Sequence, residues 1–286
     1  LINLNLMKKY LSLIKFSHTI FAMPFALIGY FLAVKDYGFS IDILVKVILC
    51  MIFARSSAMA FNRYIDRDID KKNERTAKIR EIPNGTILAK NALVFCIANI
   101  LLFLITCYYI NPLCFKLSPI AIIIILGYSL TKRFTVLCHF ILGLGLSLAP
   151  IGGYLAISQE FKILPLLISL SVLLWVTGFD IIYSLQDEEF DKNEKLNSIP
   201  VMFGKINALR ISKILHFFCA TIFTLVGLIG KFGLLYWIGF TFFTFLLIYQ
   251  HSIIKHDNLK NINLAFFTTN GIASIIFGCF FIFEIL

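Results

Sequence analysis

Residues 163–184 read ILPLLISLSVLLWVTGFDIIYS, a run with a single charge, Asp180, near its end. Its apolar residues are continuous, whereas a membrane β-strand would alternate apolar and polar positions. The run is also about as long as a helix needs to cross a bilayer, roughly 20 residues. Read outward from this segment, comparable runs recur at 17–34, 41–62, 91–110, 113–130, 136–157, 207–229, 234–254 and 263–284. With 163–184 they predict nine membrane-spanning helices, since a helix satisfies its own backbone in lipid. The first run is too long, and lacks the small-residue cleavage site, to be a removable signal peptide.

The composition agrees. Of 286 residues, 59% are apolar and 15% are charged, against about 45–50% and about 25% in ordinary soluble domains. This excludes a disordered chain, a disulfide scaffold and a soluble secreted enzyme. A net charge of +10 could point to nucleic acid, but in so apolar a chain it fits the inner loops of a membrane protein better. The seven Cys form no CxxC pair and lie in or beside apolar runs, so they are expected to act as small core hydrophobes. The expected fold class is all-α: one integral-membrane domain over 1–286, a bundle of nine helices around a central cavity.

Nine spans put the N-terminus and every second loop on one side. Of 26 Lys and Arg, 21 then fall on the N-terminal side and 5 on the other. The positive-inside rule makes the N-terminal side cytoplasmic.

The acids are few and clustered. Of 16, five follow the second span and six lie at or beyond the end of the sixth. An even number of spans separates the clusters, so both are expected on the cytoplasmic face. Each contains Asp-x-x-x-Asp, Asp66/Asp70 and Asp187/Asp191. On a helix, positions i and i+4 share a face. The spacing continues backward through Asn62 to Arg55, and from Asp187 to Tyr183 and Asp180, giving two stripes. Facing carboxylates repel unless cations intervene. Two sets of hard oxygen ligands suit Mg²⁺ shared with substrate phosphates. Arg67, Lys71, Lys72, Arg75, Lys78 and Arg80 lie among the first acids, and Lys132 and Arg133 lie on a neighbouring loop. Carboxylates, cations and a metal together read as a diphosphate site. Any one such loop is more often merely solvated; the matched pair favours a site.

These residues resemble the UbiA-type intramembrane prenyltransferases. Asn62-Arg-Tyr-Ile-Asp66-Arg67-Asp-Ile-Asp70, with Arg75-Thr76 and Pro83-Asn-Gly85 after it, is similar to their first Asp-rich motif. Asp180-Ile-Ile-Tyr183-Ser-Leu-Gln-Asp187-Glu-Glu-Phe-Asp191 is similar to the second, and Ser198-Ile-Pro200…Phe203-Gly204 follows it. Tyr128-Ser-Leu-Thr-Lys132-Arg133-Phe-Thr135 resembles the segment between helices 4 and 5. The resemblance covers nearly the whole chain. It implies that Asp66, Asp70, Asp187 and Asp191 bind Mg²⁺ and a polyprenyl diphosphate, that Lys132 and Arg133 contact the diphosphate, that Asn62 supports the first cluster, and that Asp180 and Tyr183 line the second. Arg67 joins the candidate substrate-binding residues. The prenyl tail is expected in an apolar tunnel, with an aromatic acid as acceptor and no nucleic-acid partner. Arg63 departs from the pattern, where the family often has Asp.

Arg55 lies inside an apolar span, where a charge is costly and by default functional. It is expected to anchor the carboxylate of the acceptor; pairing with a site Asp is the competing reading. His18 is expected to pack rather than touch the acceptor. The double-Asp pattern with Tyr183 resembles 4-hydroxybenzoate polyprenyltransferases of ubiquinone synthesis. Phe16-Ser-His18-Thr-Ile-Phe-Ala-Met-Pro24-Phe, with Asn62-Arg63, also resembles a bacterial branch that prenylates a hydroxynaphthoate for menaquinone. The location implied is the bacterial inner membrane. A transporter or divalent-cation channel is the alternative of another class, disfavoured because the acids sit at one rim rather than at mid-membrane.

Overall fold

Each apolar run becomes a helix whose ends are set by local polar chemistry. The computed structural model describes residues 4–15 and 22–286. His18 and the start of the first expected span lie outside them. Helix α1 covers Leu4–Leu13 and α2 covers Met23–Tyr37. Ser40 opens α3 (Ile41–Ile65) by accepting a hydrogen bond from Ile43 N at 3.4 Å. Asn111 does the same for α7 (Pro112–Thr131), accepting from Cys114 N at 2.8 Å, with proline in its first turn. The short helices α4 (Arg67–Lys72) and α5 (Glu74–Ala77) follow α3, and α6 covers Ala89–Ile110. Then come α8 (Cys138–Ser158), α9 (Ile163–Ser184), α10 (Glu188–Asn193), α11 (Ile199–Ile229), α12 (Leu234–Ile253) and α13 (Asn270–Ile285).

Among the described residues, eight helices are long and apolar enough to cross a membrane. They coincide with the expected runs from 41–62 onward. The ninth expected span, 17–34, overlaps α2, of which 15 residues are described. Helix α11 starts at Ile199, ahead of the expected 207, and is interrupted at Gly204, which takes φ +75°, as only glycine does without strain. A π-helical stretch, Leu264–Thr269, precedes α13. There the buried Asn270 amide donates to Ala265 O and Phe266 O and accepts from Trp175 Nε1, each at 3.0 Å.

The long helices pack in chain order into a ring, α13 closing on α2. Helix α8 also packs against α2 across the ring. That contact is backbone on backbone. A Cβ at Gly29 would stand 1.9 Å from Pro150 O, and one at Gly153 would stand 2.1 Å from Ala26 O. Small residues permit this approach where lipid supplies no hydrophobic drive for association. Gly153→Val is therefore expected to destabilise the protein by about 3 kcal/mol or more, since the clash falls on backbone. A lowered thermal midpoint in detergent would register it.

The α2–α8 contact divides the ring unequally. The side formed by α9, α11, α12 and α13 is filled by Trp175, Phe223, Tyr236, Phe243, Phe277 and Phe281, each fully buried. The side formed with α3, α6 and α7 encloses a cavity of about 330 Å³. Outward-facing Ile123, Phe217 and Phe245 are exposed, as lipid-facing side chains are. All seven cysteines are free.

Candidate active site

The first acidic rim forms where α3 runs out. Asp66 leaves helical geometry (φ −92°, ψ 5°) and α4 restarts after it. Asp187 makes the same break on the second rim (φ −102°, ψ 1°), between a 3-10 turn at Leu185–Asp187 and α10. Neither Asp pair therefore sits on one uninterrupted helix, which corrects the two continuous stripes expected from spacing. After α4, Asn73 caps α5 by accepting from Arg75 N at 3.0 Å. This turn sends Arg75 back across the bundle end.

The result joins the two rims. Arg75 grips Asp187 with both planar nitrogens, Nε to Oδ1 at 3.0 Å and Nη2 to Oδ2 at 2.6 Å, the strongest geometry for this pair of groups. Asn73 Nδ2 adds a bond to Asp187 Oδ1 at 3.1 Å. Arg80 pairs with Asp70. From the turn between α7 and α8, Arg133 donates to Asp66 Oδ1 at 2.9 Å and to Ile65 O at 2.8 Å. Lys132 Nζ pairs with the buried Asp191 carboxylate, 2.6 Å from its Oδ1.

Asp66, Asp70, Asp187 and Asp191 thus line one polar cavity of about 70 Å³ with Arg75, Arg80, Lys132 and Arg133. Each carboxylate has its own cation, so the empty charges balance. Burial pushes the Asp66 carboxyl above its ordinary range, and the Arg133 hydrogen bond opposes that shift. Among the described residues, no three His, Cys, Asp or Glu side chains stand close enough to hold a metal alone.

The larger cavity neighbours the polar one along α7. Tyr128 lines the apolar chamber and Ser129 lines the polar one. Arg55 lies eleven residues before Asp66 on α3, about 16 Å along a helix axis. Among the described residues it is the one charged residue lining the chamber, and its Nε has no hydrogen-bond partner. It does not pair with a site Asp.

Four sequence candidates, Asn62, Arg67, Asp180 and Tyr183, stand back from the polar cavity's lining. Arg67 lies over the Tyr64 ring at 4.7 Å and donates to Tyr64 O at 2.8 Å. Asp180 Oδ2 is 2.7 Å from His139 Nδ1. Because Ile199 N donates to His139 Nε2 at 3.3 Å, that nitrogen is the acceptor and Nδ1 carries the proton toward Asp180. Tyr183 OH accepts from Arg75 Nη1 at 3.1 Å, and its ring lies 4.1 Å from that of Phe266. Asn62 Nδ2 donates to Asp66 Oδ2 at 2.8 Å, beside the site as expected.

Residues 22–272 match the UbiA prenyltransferase family. The chain belongs to this family. A 4-hydroxybenzoate octaprenyltransferase from Vesicomyosocius okutanii is 29% identical over 247 residues, covering 86% of this chain and 89% of that protein. The apo structure of a UbiA homolog from Aeropyrum pernix K1 superposes with a TM-score of 0.85 at 30% identity, covering 94% of this chain and 98% of that one. A UbiA homolog from Archaeoglobus fulgidus bound to GPP and Mg²⁺ gives a TM-score of 0.71 at 25% identity, covering 97% and 99%. This UbiA-family chain is a multi-pass integral membrane transferase with an all-helical bundle.

In this UbiA-family site, Arg75 and Arg80 were not singled out from the basic residues around the first motif. Their signal was Asn73, whose capping turn reverses the chain, with Arg75 two residues on. His139 gave no signal, since its partner Asp180 is distant in sequence.

Proposed function

We propose that this chain transfers a polyprenyl group from a polyprenyl diphosphate to a ring carbon of an aromatic acid, 4-hydroxybenzoate first, at the cytoplasmic face of a bacterial inner membrane. The observation that carries this reading is the junction of two unlike cavities. One is apolar with a single lining cation, and the other is built of four carboxylate–cation pairs. An allylic diphosphate has this division, and an aromatic acid supplies the anion for Arg55. The names of curated relatives support the same acceptor.

The residues fit Mg²⁺ as the divalent cation. Asp191 offers a buried carboxylate whose Oδ1 is paired with Lys132 and whose Oδ2 has no hydrogen-bond partner, and Asp66, Asp70 and Asp187 add hard oxygen donors on the same cavity. The lack of a protein-only cluster accords with Mg²⁺ bound through a few carboxylates, water and substrate phosphate. When bound, the metal neutralises charge that develops on the departing diphosphate. Arg75, Arg80, Lys132 and Arg133 exchange part of their carboxylate contacts for phosphate oxygens and stabilise the same charge. The allylic cation left behind needs a dry chamber, because water would trap it. The chamber walls exclude that water. Arg55 holds the acceptor's carboxylate, which sets the phenol ring's orientation for attack through carbon beside its hydroxyl.

Membranes containing the protein, given labelled prenyl diphosphate, an aromatic acid and Mg²⁺, are expected to form a lipid-soluble labelled phenol. Omitting either the acid or the metal should abolish it. No labelled phenol with either acid would end the reading. A 4-hydroxybenzoate and a hydroxynaphthoate offered in competition distinguish the two acceptors by product mass.

A further inference from the structure

Arg63 lines neither cavity, yet it is 6% exposed. A buried guanidinium is costly unless its donors are engaged. Arg63 Nη1 donates to Asn62 Oδ1 at 3.2 Å. Asn62 Nδ2 in turn donates to Asp66 Oδ2 at 2.8 Å and toward Ser129 Oγ at 3.4 Å. A guanidinium has no acceptor, so the amide oxygen of Asn62 must face Arg63. That leaves the amide NH₂ for Asp66. Arg63, from one side, and the acceptor-only carboxylate, from the other, therefore fix the same orientation of the Asn62 amide.

On its other side, Arg63 lies within electrostatic reach of Glu81, Asp70 and Arg80. Glu81 is 3% exposed. Its Oε1 accepts from Ser12 on α1, while its Oε2 and the Arg63 Nε have no hydrogen-bond partner. One is an acceptor and the other a donor, so the two groups are complementary. The buried Glu81 charge, with that of Asp70, offsets the charge of Arg63 at longer range than an ion pair, and Arg80 already occupies Asp70.

We infer that Arg63 is a positioning residue for the first rim: acting through Asn62, it fixes the Asp66 carboxylate, whose two oxygens are held between Asn62 and Arg133. This rests on the reading of Asp66 as a ligand of a divalent cation and diphosphate. Groups that orient a metal ligand typically change metal affinity by about 10–100-fold when removed.

The test measures binding without turnover. Purified protein in detergent is titrated with Mn²⁺ in the presence of inorganic pyrophosphate, and free Mn²⁺ is read by electron paramagnetic resonance. Arg63→Met, which removes every donor, is expected to weaken Mn²⁺ binding about tenfold. Arg63→Lys, which still carries a donor for the amide oxygen, is expected to stay within about threefold of wild type. In an Asn62→Ala background, Arg63→Met should add nothing. Unchanged affinity in Arg63→Met, or a tenfold loss that persists without Asn62, overturns the inference. If Arg63→Met does not fold, Arg63→Met combined with Glu81→Gln, which also removes the buried acid's charge, carries the same comparison. Mn²⁺ binding that survives Asp66→Ala strikes the reading of the site itself. Binding lost in Asp66→Ala but unmoved in Arg63→Met strikes Arg63 alone.

Discussion

Asp187→Ala is expected to reduce prenyl transfer about a thousandfold or more, a loss at the upper end of what one electrostatic contact contributes in a preorganised site. Beyond its proposed role as a ligand, Asp187 ties the two rims together. It anchors Arg75 through two bonds and Asn73 through a third, and these hold the first rim against the second. Without it, Arg75 loses the carboxylate that aims it across the cavity. Asp66→Ala is expected to cost as much for a related reason, since it frees Arg133. Initial rates with saturating prenyl diphosphate, taken alongside thermal midpoints in detergent, check both. Turnover retained in both variants would remove the metal and diphosphate assignment.

Arg55→Ala should behave differently. It is expected to raise the KM for the aromatic acid by about 10–100-fold, the range of a charge-assisted hydrogen bond, and to leave the KM for the prenyl diphosphate nearly unchanged. The protein should not be destabilised by Arg55→Met, because the Arg55 Nε is buried without a partner and an apolar side chain removes that penalty. Steady-state kinetics with each substrate varied in turn separate these outcomes. Equal effects on both substrates would reject the anchor role.

The long helices were legible in the sequence because a bilayer imposes a length and a polarity that few other environments do. The run at 163–184 matches α9 residue for residue. The convergence of the two acidic rims followed from parity, an even number of spans between them. What composition and spacing could not show was the breaks at Asp66 and Asp187. Ideal periodicity assumes an unbroken helix, while these segments leave helical geometry where they meet each other. For the same reason the cation partners were only partly foreseen. Lys132 and Arg133 were named because they lie on a neighbouring loop, in a segment that resembles the family's between helices 4 and 5. Arg75 and Arg80 reach their carboxylates after a chain reversal, and reversals depend on a single cap such as Asn73. The Asp180–His139 pair joins α9 to α8 through packing alone.

The unequal filling of the ring carries a mechanical consequence. The aromatic half is a rigid bulkhead, dense with interlocked rings, and the half holding the chamber is hollow. A hollow wall yields before a solid one, so deformation imposed by the surrounding lipid is expected mainly on the hollow side. Under the proposed function, the helices around the tail are then the ones that bilayer thickness and acyl-chain order deform.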